Sequence, residues 1–357
     1  MLFFSREELD ALRKNRDAAT VNRRDTYLFG CGDIGQRVQG KFRRANLAVA
    51  GFVDNDTSKQ GMEVNGVAVI SPAELARVDK DAAVVLASHQ AEEMGRQCAA
   101  LGIRHVLTAG AAVRRYGLYE DMDALENATG AVAAMELWDD AGSRRLYRHM
   151  IRCRAFLDLD NGLVPDPDQY FNRSVARKED LRAVADCGPF DGQVYRDLRK
   201  ASDDAFEAYY AFEPDPSAFE ALTSQVGDDP RARLFNSAVG ARPGRARFDA
   251  RGDWGSRLSD SGSVDVAVDS IDHALAGLPV TMIKMDVEGQ ELEALAGAEA
   301  TIRERRPFLA ICCYHRDDHM WAVPLWIARL GAGYRLRLLQ HGGSLYETVC
   351  HGIADGQ

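Results

Sequence analysis

The chain has 357 residues, 46% of them hydrophobic and 27% charged, a composition of globular proteins and a length that suggests about two domains. A formal net charge of -10 argues against a general nucleic-acid surface, because phosphate neutralisation needs clustered Lys and Arg; the basic stretch Arg242 to Arg251 reads as a solvated loop. No apolar run approaches the ~20 residues that cross a bilayer, so no membrane span is expected. The seven cysteines (Cys31, Cys98, Cys153, Cys187, Cys312, Cys313 and Cys350) are odd in number and form no C-x-x-C pair. They indicate neither a zinc ribbon nor a disulfide framework, and a reducing cytoplasm is the expected location.

At the start of the chain, Ser5 with Glu8 makes a capping box for a short helix, which reads as neither a signal peptide nor an anchor. Tyr27 to Phe29 predicts a buried strand, and Gly30-Cys31-Gly32-Asp33-Ile34-Gly35 matches G-x-G-x-x-G ahead of a basic helix. A second strand from Leu47 to Val53 ends in Asp54, which lies 22 residues after Gly32. That is the spacing of an acid that meets ribose hydroxyls in a Rossmann unit. Gly30, Gly32, Gly35 and Asp54 are therefore a candidate nucleotide-type site, with phosphate held by backbone N–H groups at the helix N-terminus. Strands at Val67 to Ile70, Ala82 to Ala87 and His105 to Thr108 alternate with helices at Pro72 to Leu75 and Glu92 to Leu101. Residues 1–112 thus read as one Rossmann-like domain.

Residues 113–170 carry helical periodicity without strand signals and read as a helical connector. Apolar positions from Met135 to Leu157 fall at helical spacing, interrupted by Ala141-Gly142. Asn161 to Tyr170, with two prolines, predicts a loop within reach of an active-site mouth.

A second strand–glycine–helix unit opens residues 171–357. Arg182 to Ala185 predicts a strand, Asp186 to Gly192 reads D-x-G-x-x-x-G, and Gln193 to Leu198 a helix. Tyr209 to Phe212 is the next strand and ends in Glu213-Pro214-Asp215-Pro216. Here the acid precedes the glycines and the last gap is one residue longer, which suits a ligand whose amino-acid end crosses the turn without a pyrophosphate. Glu213 at the strand tip is then placed for a bidentate grip on ribose hydroxyls. Downstream follow Asn236-Ser237-Ala238, Val268 to Asp272, Ile283-Lys284-Met285-Asp286-Val287-Glu288-Gly289-Gln290-Glu291, and strands at Leu309 to Tyr314, Arg335 to Leu339 and Tyr346 to Cys350.

Taken together, Ala-Phe-Glu-Pro-Asp-Pro at 211–216 and the 283–291 motif resemble the FkbM-type methyltransferases, over roughly Tyr170 to Ile353. The resemblance implies a seven-stranded class I methyltransferase sheet for this part, and with the first unit the chain reads as an α/β fold of two doubly wound Rossmann-like domains. It also implies S-adenosylmethionine as cofactor and O-methylation of a hydroxyl, often on a sugar or secondary metabolite. Carried over, Asp186, Gly188 and Gly192 would line the methionine end, Glu213 with Pro214 and Asp215 the ribose, and Asn236, Ser237 and Ala238 the adenine. Asp286 would lie beside the sulfonium. The chain departs from the family at Pro189 and Phe190, where alanine and asparagine are usual. The N-terminal unit is more loosely similar to nucleotide-binding-type domains beside sugar-modifying enzymes.

A neutral sugar hydroxyl is a poor nucleophile, so a base or a metal ion should stand near it. His315 is the preferred general base, with Asp286 and Glu288 as partners, since all three fall at strand ends where open α/β sheets bind ligands. Glu291 reads equally as complementing a helix dipole. A divalent metal would draw on Asp286, Glu288 and Asp272, or on the His315/His319 pair. Trp254 and Tyr170 are candidates to stack on a substrate ring, and Cys312 and Cys313 read as packing residues. The expected partner is a small-molecule or glycan substrate, and a homo-oligomer is compatible with the sequence. Two rival readings are an NAD-dependent oxidoreductase or epimerase acting through the first domain, and a non-catalytic nucleotide-sensing protein.

Overall fold

The structure is a computed structural model that describes residues 3–19, 25–118, 128–249, 257–258, 262 and 264–354. It divides into two compact units, residues 1–128 with 148–162, and residues 129–147 with 163–357.

In the first unit, a helix at Arg6–Ala19 starts where expected: Ser5 Oγ accepts from Glu8 N at 3.2 Å while Glu8 Oε2 accepts from Ser5 N at 2.8 Å. The sheet comprises β1 (Thr26–Phe29), β2 (Gly51–Val53), β3 (Glu63–Val64), β4 (Val67–Ile70), β5 (Ala83–Leu86) and β6 (His105–Thr108). Their order is β3-β4-β2-β1-β5-β6, parallel throughout except for the β3–β4 hairpin. The chain leaves β1 for β2 on one side and returns to β5 on the other. That order puts the topological switch point beside the 30–35 turn. The β2 strand is shorter than the expected Leu47 to Val53: only Gly51, Phe52 and Val53 pair in register with Tyr27, Leu28 and Phe29 of β1.

The second unit is built on β7 (Ala183–Cys187), β8 (Ala208–Phe212), β9 (Ala232–Phe235), β10 (Ala238–Val239), β11 (Gly244–Asp249), β12 (Arg257–Leu258), β13 (Val264–Asp269), β14 (Met282–Met285), β15 (Phe308–Cys312), β16 (Tyr334–Gln340) and β17 (Thr348–Ala354). Seven of them form one sheet, ordered β16-β17-β15-β14-β7-β8-β9, with β17 antiparallel to both neighbours. β14 runs parallel between β7 and β15 at its centre. Both its neighbours and β14 itself are buried along their whole length, so apart from Asp186 and Lys284 they read as apolar runs with no alternation. Val184, Tyr209, Met282, Phe308 and Val349 pack with Leu198 and Leu222 of flanking helices into the unit's main core. Among the described residues no helix is long and apolar enough to cross a membrane.

Three expectations change. The basic stretch after Arg242 is β11 over most of its length, part of a second sheet ordered β10-β13-β11-β12. Arg245 there pairs with Asp265 at 2.6 Å, and Arg247 Nε donates to Gly262 O at 2.7 Å, so these charges serve the hairpin. Ala141-Gly142 does not interrupt a helix but begins one, Ala141–Phe156, after a shorter helix at Thr129–Met135. Asp140 sets that start by accepting from Ser143 N at 2.9 Å. The segment expected as a helical connector divides between the units, because its ends pack on different partners. Trp138 bridges to Leu336 in the second unit, whereas Arg114–Asp158 and Arg152–Glu8 ion pairs hold residues 148–158 in the first.

Candidate active site

The parallel register of the large sheet sets Lys284 of β14 directly beside Asp186 of β7. Their side chains therefore project to the same side and meet, Nζ to Oδ1, at 2.9 Å. Both are out of solvent, and Tyr209 OH donates to the other carboxylate oxygen at 2.6 Å. Lys284 Nζ also donates to Gly188 O at 2.6 Å, so the buried ion pair anchors the glycine turn that follows β7. Gly188 sits at φ +81, and a Cβ there would lie 1.9 Å from Asp286 O. Only glycine lets the turn after β7 and the chain after β14 approach so closely.

Beside this junction lies a cavity of about 500 Å³, lined by Tyr170, Gly188, Phe190, Lys284, Asp286 and Glu347 among others. The loop expected near an active-site mouth contributes Tyr170, whose OH donates to Asp286 Oδ2 at 2.7 Å; Tyr314 OH donates to Oδ1 at 3.1 Å. Lys284 Nζ stands 4.9 Å from the centre of the Tyr170 ring, so that face is already occupied by a cation. Trp254 and residues 250–251 lie outside the described residues.

Asp286, Glu288 and His315 are brought together. His315 Nε2 is 3.2 Å from Asp286 Oδ1 and 3.6 Å from Glu288 Oε2, and its Nδ1 is 2.7 Å from Glu291 Oε1. Burial opposes the imidazolium, but the facing carboxylates of Asp286, Glu288 and Glu291 outweigh it and hold the His315 pKa well above its ordinary range. As a base, His315 would first have to give up that proton. Burial likewise opposes the charged form of Glu291, yet His315 and His319 bring its pKa down to about 2.

Other expected members are elsewhere. Asp272 accepts from Ala300 N and Thr301 N at 2.9 and 2.8 Å, capping the helix Glu299–Arg305, and does not join Asp286 and Glu288. His315 and His319 do not face one ion; their Nδ1 atoms lie 2.7 and 2.9 Å from different oxygens of Glu291, which is fully buried. Sequence reasoning saw Glu291 only as a helix-start acid, and the Asp-x-Glu-Gly-Gln-Glu spacing gave no sign that a strand end 24 residues away would meet it. Glu347 was also missed. It precedes β17 and lines the cavity, and burial raises its pKa, with a further push from Asp286. Cys312 and Cys313 are buried packing residues, and all seven thiols are free.

Next to the cavity, Glu213 at the tip of β8 accepts from Phe190 N at 3.1 Å and Asp215 N at 2.9 Å. Burial dominates over these bonds and raises its pKa to about 7. Asp215 caps the helix Pro216–Val226, accepting from Ser217 N at 3.0 Å, and Pro214 between them is half-buried. Asn236 Nδ2 donates to Glu213 O at 2.9 Å, tying the ends of β8 and β9, while Ser237 and Ala238 are buried beside it. Gly192 starts the helix Gln193–Ala201 at φ +88. Asp186 lies behind the cavity wall, with its carboxylate given to Lys284 and Tyr209.

In the first unit, a Cβ on Gly35 would lie 1.9 Å from Gly30 O, so this glycine is required by helix–turn packing. Gly32 is open and starts the helix Asp33–Arg44. Asp54 turns inward: its Oδ2 accepts from Cys31 N at 3.0 Å and its Oδ1 from Asp56 N at 3.0 Å, closing β2 against the turn.

Residues 186–336 match the family described as Methyltransferase FkbM domain. Residues 23–106 match a second family, described as C2185-like, N-terminal. Over 97% of this chain and 99% of the other, the fold is similar to that of methyltransferase FkbM from Methylobacillus flagellatus KT, at 22% identity and a TM-score of 0.65. Aeropyrum pernix fibrillarin, solved with natively bound S-adenosyl-L-methionine, is 10% identical over 48% of this chain and 66% of its own, at a TM-score of 0.33. An rRNA methylase from Streptococcus thermophilus is 14% identical over 53% of this chain and 97% of its own, at 0.34. No curated protein matches the chain.

Proposed function

We propose that the protein is an S-adenosylmethionine-dependent O-methyltransferase whose acceptor is a hydroxyl of a saccharide or secondary metabolite. The observation that carries this reading is Asp286: one residue past the central strand β14, it borders the cavity and is ringed by Tyr170, Tyr314 and His315. In open α/β sheets, that carboxyl edge is where ligands bind.

The methyl donor would lie along the Gly188–Gly192 turn, with its ribose at Glu213 and its adenine by Asn236, Ser237 and Ala238. In the reaction, the acceptor oxygen would form a bond to the methyl carbon, the sulfur–methyl bond would break with its electron pair staying on the sulfur, and the hydroxyl proton would pass to His315 once that ring has lost its own proton. Because the methyl group is already activated, alignment and exclusion of water do most of the work. Asp286, Glu288 and His315 are the groups assigned to the acceptor oxygen. With Glu291 they put three carboxylates around one imidazolium, so the departing proton moves into negative potential.

The test is transfer of labelled methyl from S-adenosylmethionine to a panel of polyhydroxylated acceptors, with the site of methylation read by mass spectrometry. Label on oxygen that disappears in Asp286→Asn, with donor binding retained, is the expected result. Label on nitrogen or carbon, or transfer that survives Asp286→Asn, overturns the assignment.

A further inference from the structure

We propose that Asp286, Glu288 and His315 bind one divalent transition-metal cation of the Mn²⁺ type, with Glu291 as the group that orients the histidine ligand. The three side chains offer one ligand atom each, all within 4.8 Å of one another. The edges that meet at His315 Nε2 are 3.2 and 3.6 Å. An ion about 2.1 Å from each ligand sets edges of about 3.0–3.4 Å in octahedral or tetrahedral geometry. The cluster is thus close to the size of a coordination sphere.

Two features distinguish it from a chance gathering of acids. The His315 side chain is 6% exposed, and its Nε2 is aimed at the two carboxylates without making a hydrogen bond of good geometry to any protein atom. Unlike the unpartnered nitrogens of buried His351, this one faces two carboxylates at coordination-sphere spacing, which is the setting of a metal ligand. The other ring nitrogen is fixed by Glu291 at 2.7 Å, and His319 Nδ1 lies 2.9 Å from the second oxygen of Glu291. A carboxylate on the far nitrogen of a ligating histidine is the usual second layer of a metal site, because it sets the ring's orientation and strengthens its basicity. Glu291 Oε1 also accepts from Val287 N at 3.1 Å, so the same carboxylate shapes the loop that brings Glu288 back toward Asp286.

One imidazole with two carboxylates favours a first-row transition ion over Mg²⁺, which prefers oxygen ligands and keeps its water. The cation would hold the acceptor oxygen and lower its pKa, replacing the proton that otherwise sits on His315. That role rests on the methyltransferase reading; the binding does not.

The experiment is titration of the chelator-dialysed full-length chain with MnCl₂, followed by calorimetry and by loss of the free Mn²⁺ electron-paramagnetic-resonance signal, with MgCl₂ alongside. We expect one Mn²⁺ per chain, weaker Mg²⁺ binding, and at least tenfold weaker Mn²⁺ binding in Glu288→Gln and in His315→Gln. Glu288 is partly exposed, so its variant should keep the thermal transition of the parent, and Asp272→Asn should bind Mn²⁺ as the parent does. No saturable binding by the parent chain, or binding unchanged in both ligand variants, overturns the proposal. Mn²⁺ bound as expected without any S-adenosylmethionine binding would support the site and overturn the proposed function instead.

Discussion

Replacing Lys284 with methionine keeps most of the side chain's volume and removes its charge. In the protein this charge is fully buried between Asp186 Oδ1 at 2.9 Å and Gly188 O at 2.6 Å. Taking away one member of a buried ion pair leaves the other uncompensated, which typically costs about 3–5 kcal/mol. Tyr209 OH stays on Asp186 at 2.6 Å and softens the loss, so the lower end, about 3 kcal/mol, is expected. A domain with about 5–15 kcal/mol of stability survives that and can be measured. Adding Asp186→Asn removes the stranded charge and should restore at least half of what was lost, because removing both members of such a pair is often close to neutral. Urea denaturation of the parent, the two single variants and the double variant gives the cycle. A single Lys284→Met cost below about 1 kcal/mol, or a double variant no more stable than it, would refute the claim that this pair holds the glycine turn.

Gly188→Ala should abolish donor binding and destabilise the second unit by more than about 2 kcal/mol, since the new Cβ meets Asp286 O at 1.9 Å and φ is +81; a parent-like melting transition contradicts this. The Glu213 carboxyl rises from its ordinary 4.5 to about 7, so its share of folding stability is complete below about pH 4.5 and is lost as pH climbs through 7. Relative to Glu213→Gln, the parent should therefore lose about 3 kcal/mol between pH 4.5 and 8 in urea titrations, and parallel curves would count against the shift. Donor hydroxyls favour the charged carboxylate, so binding at pH 6.5 should release a proton, seen as a buffer-dependent enthalpy. Glu8→Ala removes the carboxylate half of a capping box and the Arg152 pair, leaving Ser5 Oγ on the backbone N–H, and should cost about 1–2 kcal/mol in the first unit.

Much of this architecture is readable in the chain because local signals and global order agree. The strand–glycine–helix repeats at Gly30 and Gly188 each lie at a strand exit, and the acids at 54 and 213 fall at the next strand tip as spacing predicts. What failed to show was tertiary. A strand's length depends on its partner, as β2 shows, and the residues 129–158 split between units by packing that periodicity does not record. The short mixed sheet around β11 was hidden because its exposed face is rich in arginine. Motif reading found Asp286, Glu288 and His315, but it could not pair His315 with Glu291, give Asp272 to a helix cap, or find Glu347, whose signal is its place in the cavity wall.

Calorimetric titration of the full chain with S-adenosylmethionine, S-adenosylhomocysteine and NAD tests the central claim most directly. Saturable binding of the first two at one site per chain, weakened at least tenfold by Glu213→Gln and unaffected by Gly32→Ala, is the predicted result. Binding of NAD alone, abolished by the change at Gly32 and indifferent to Glu213, would place the activity in the first unit and contradict the account.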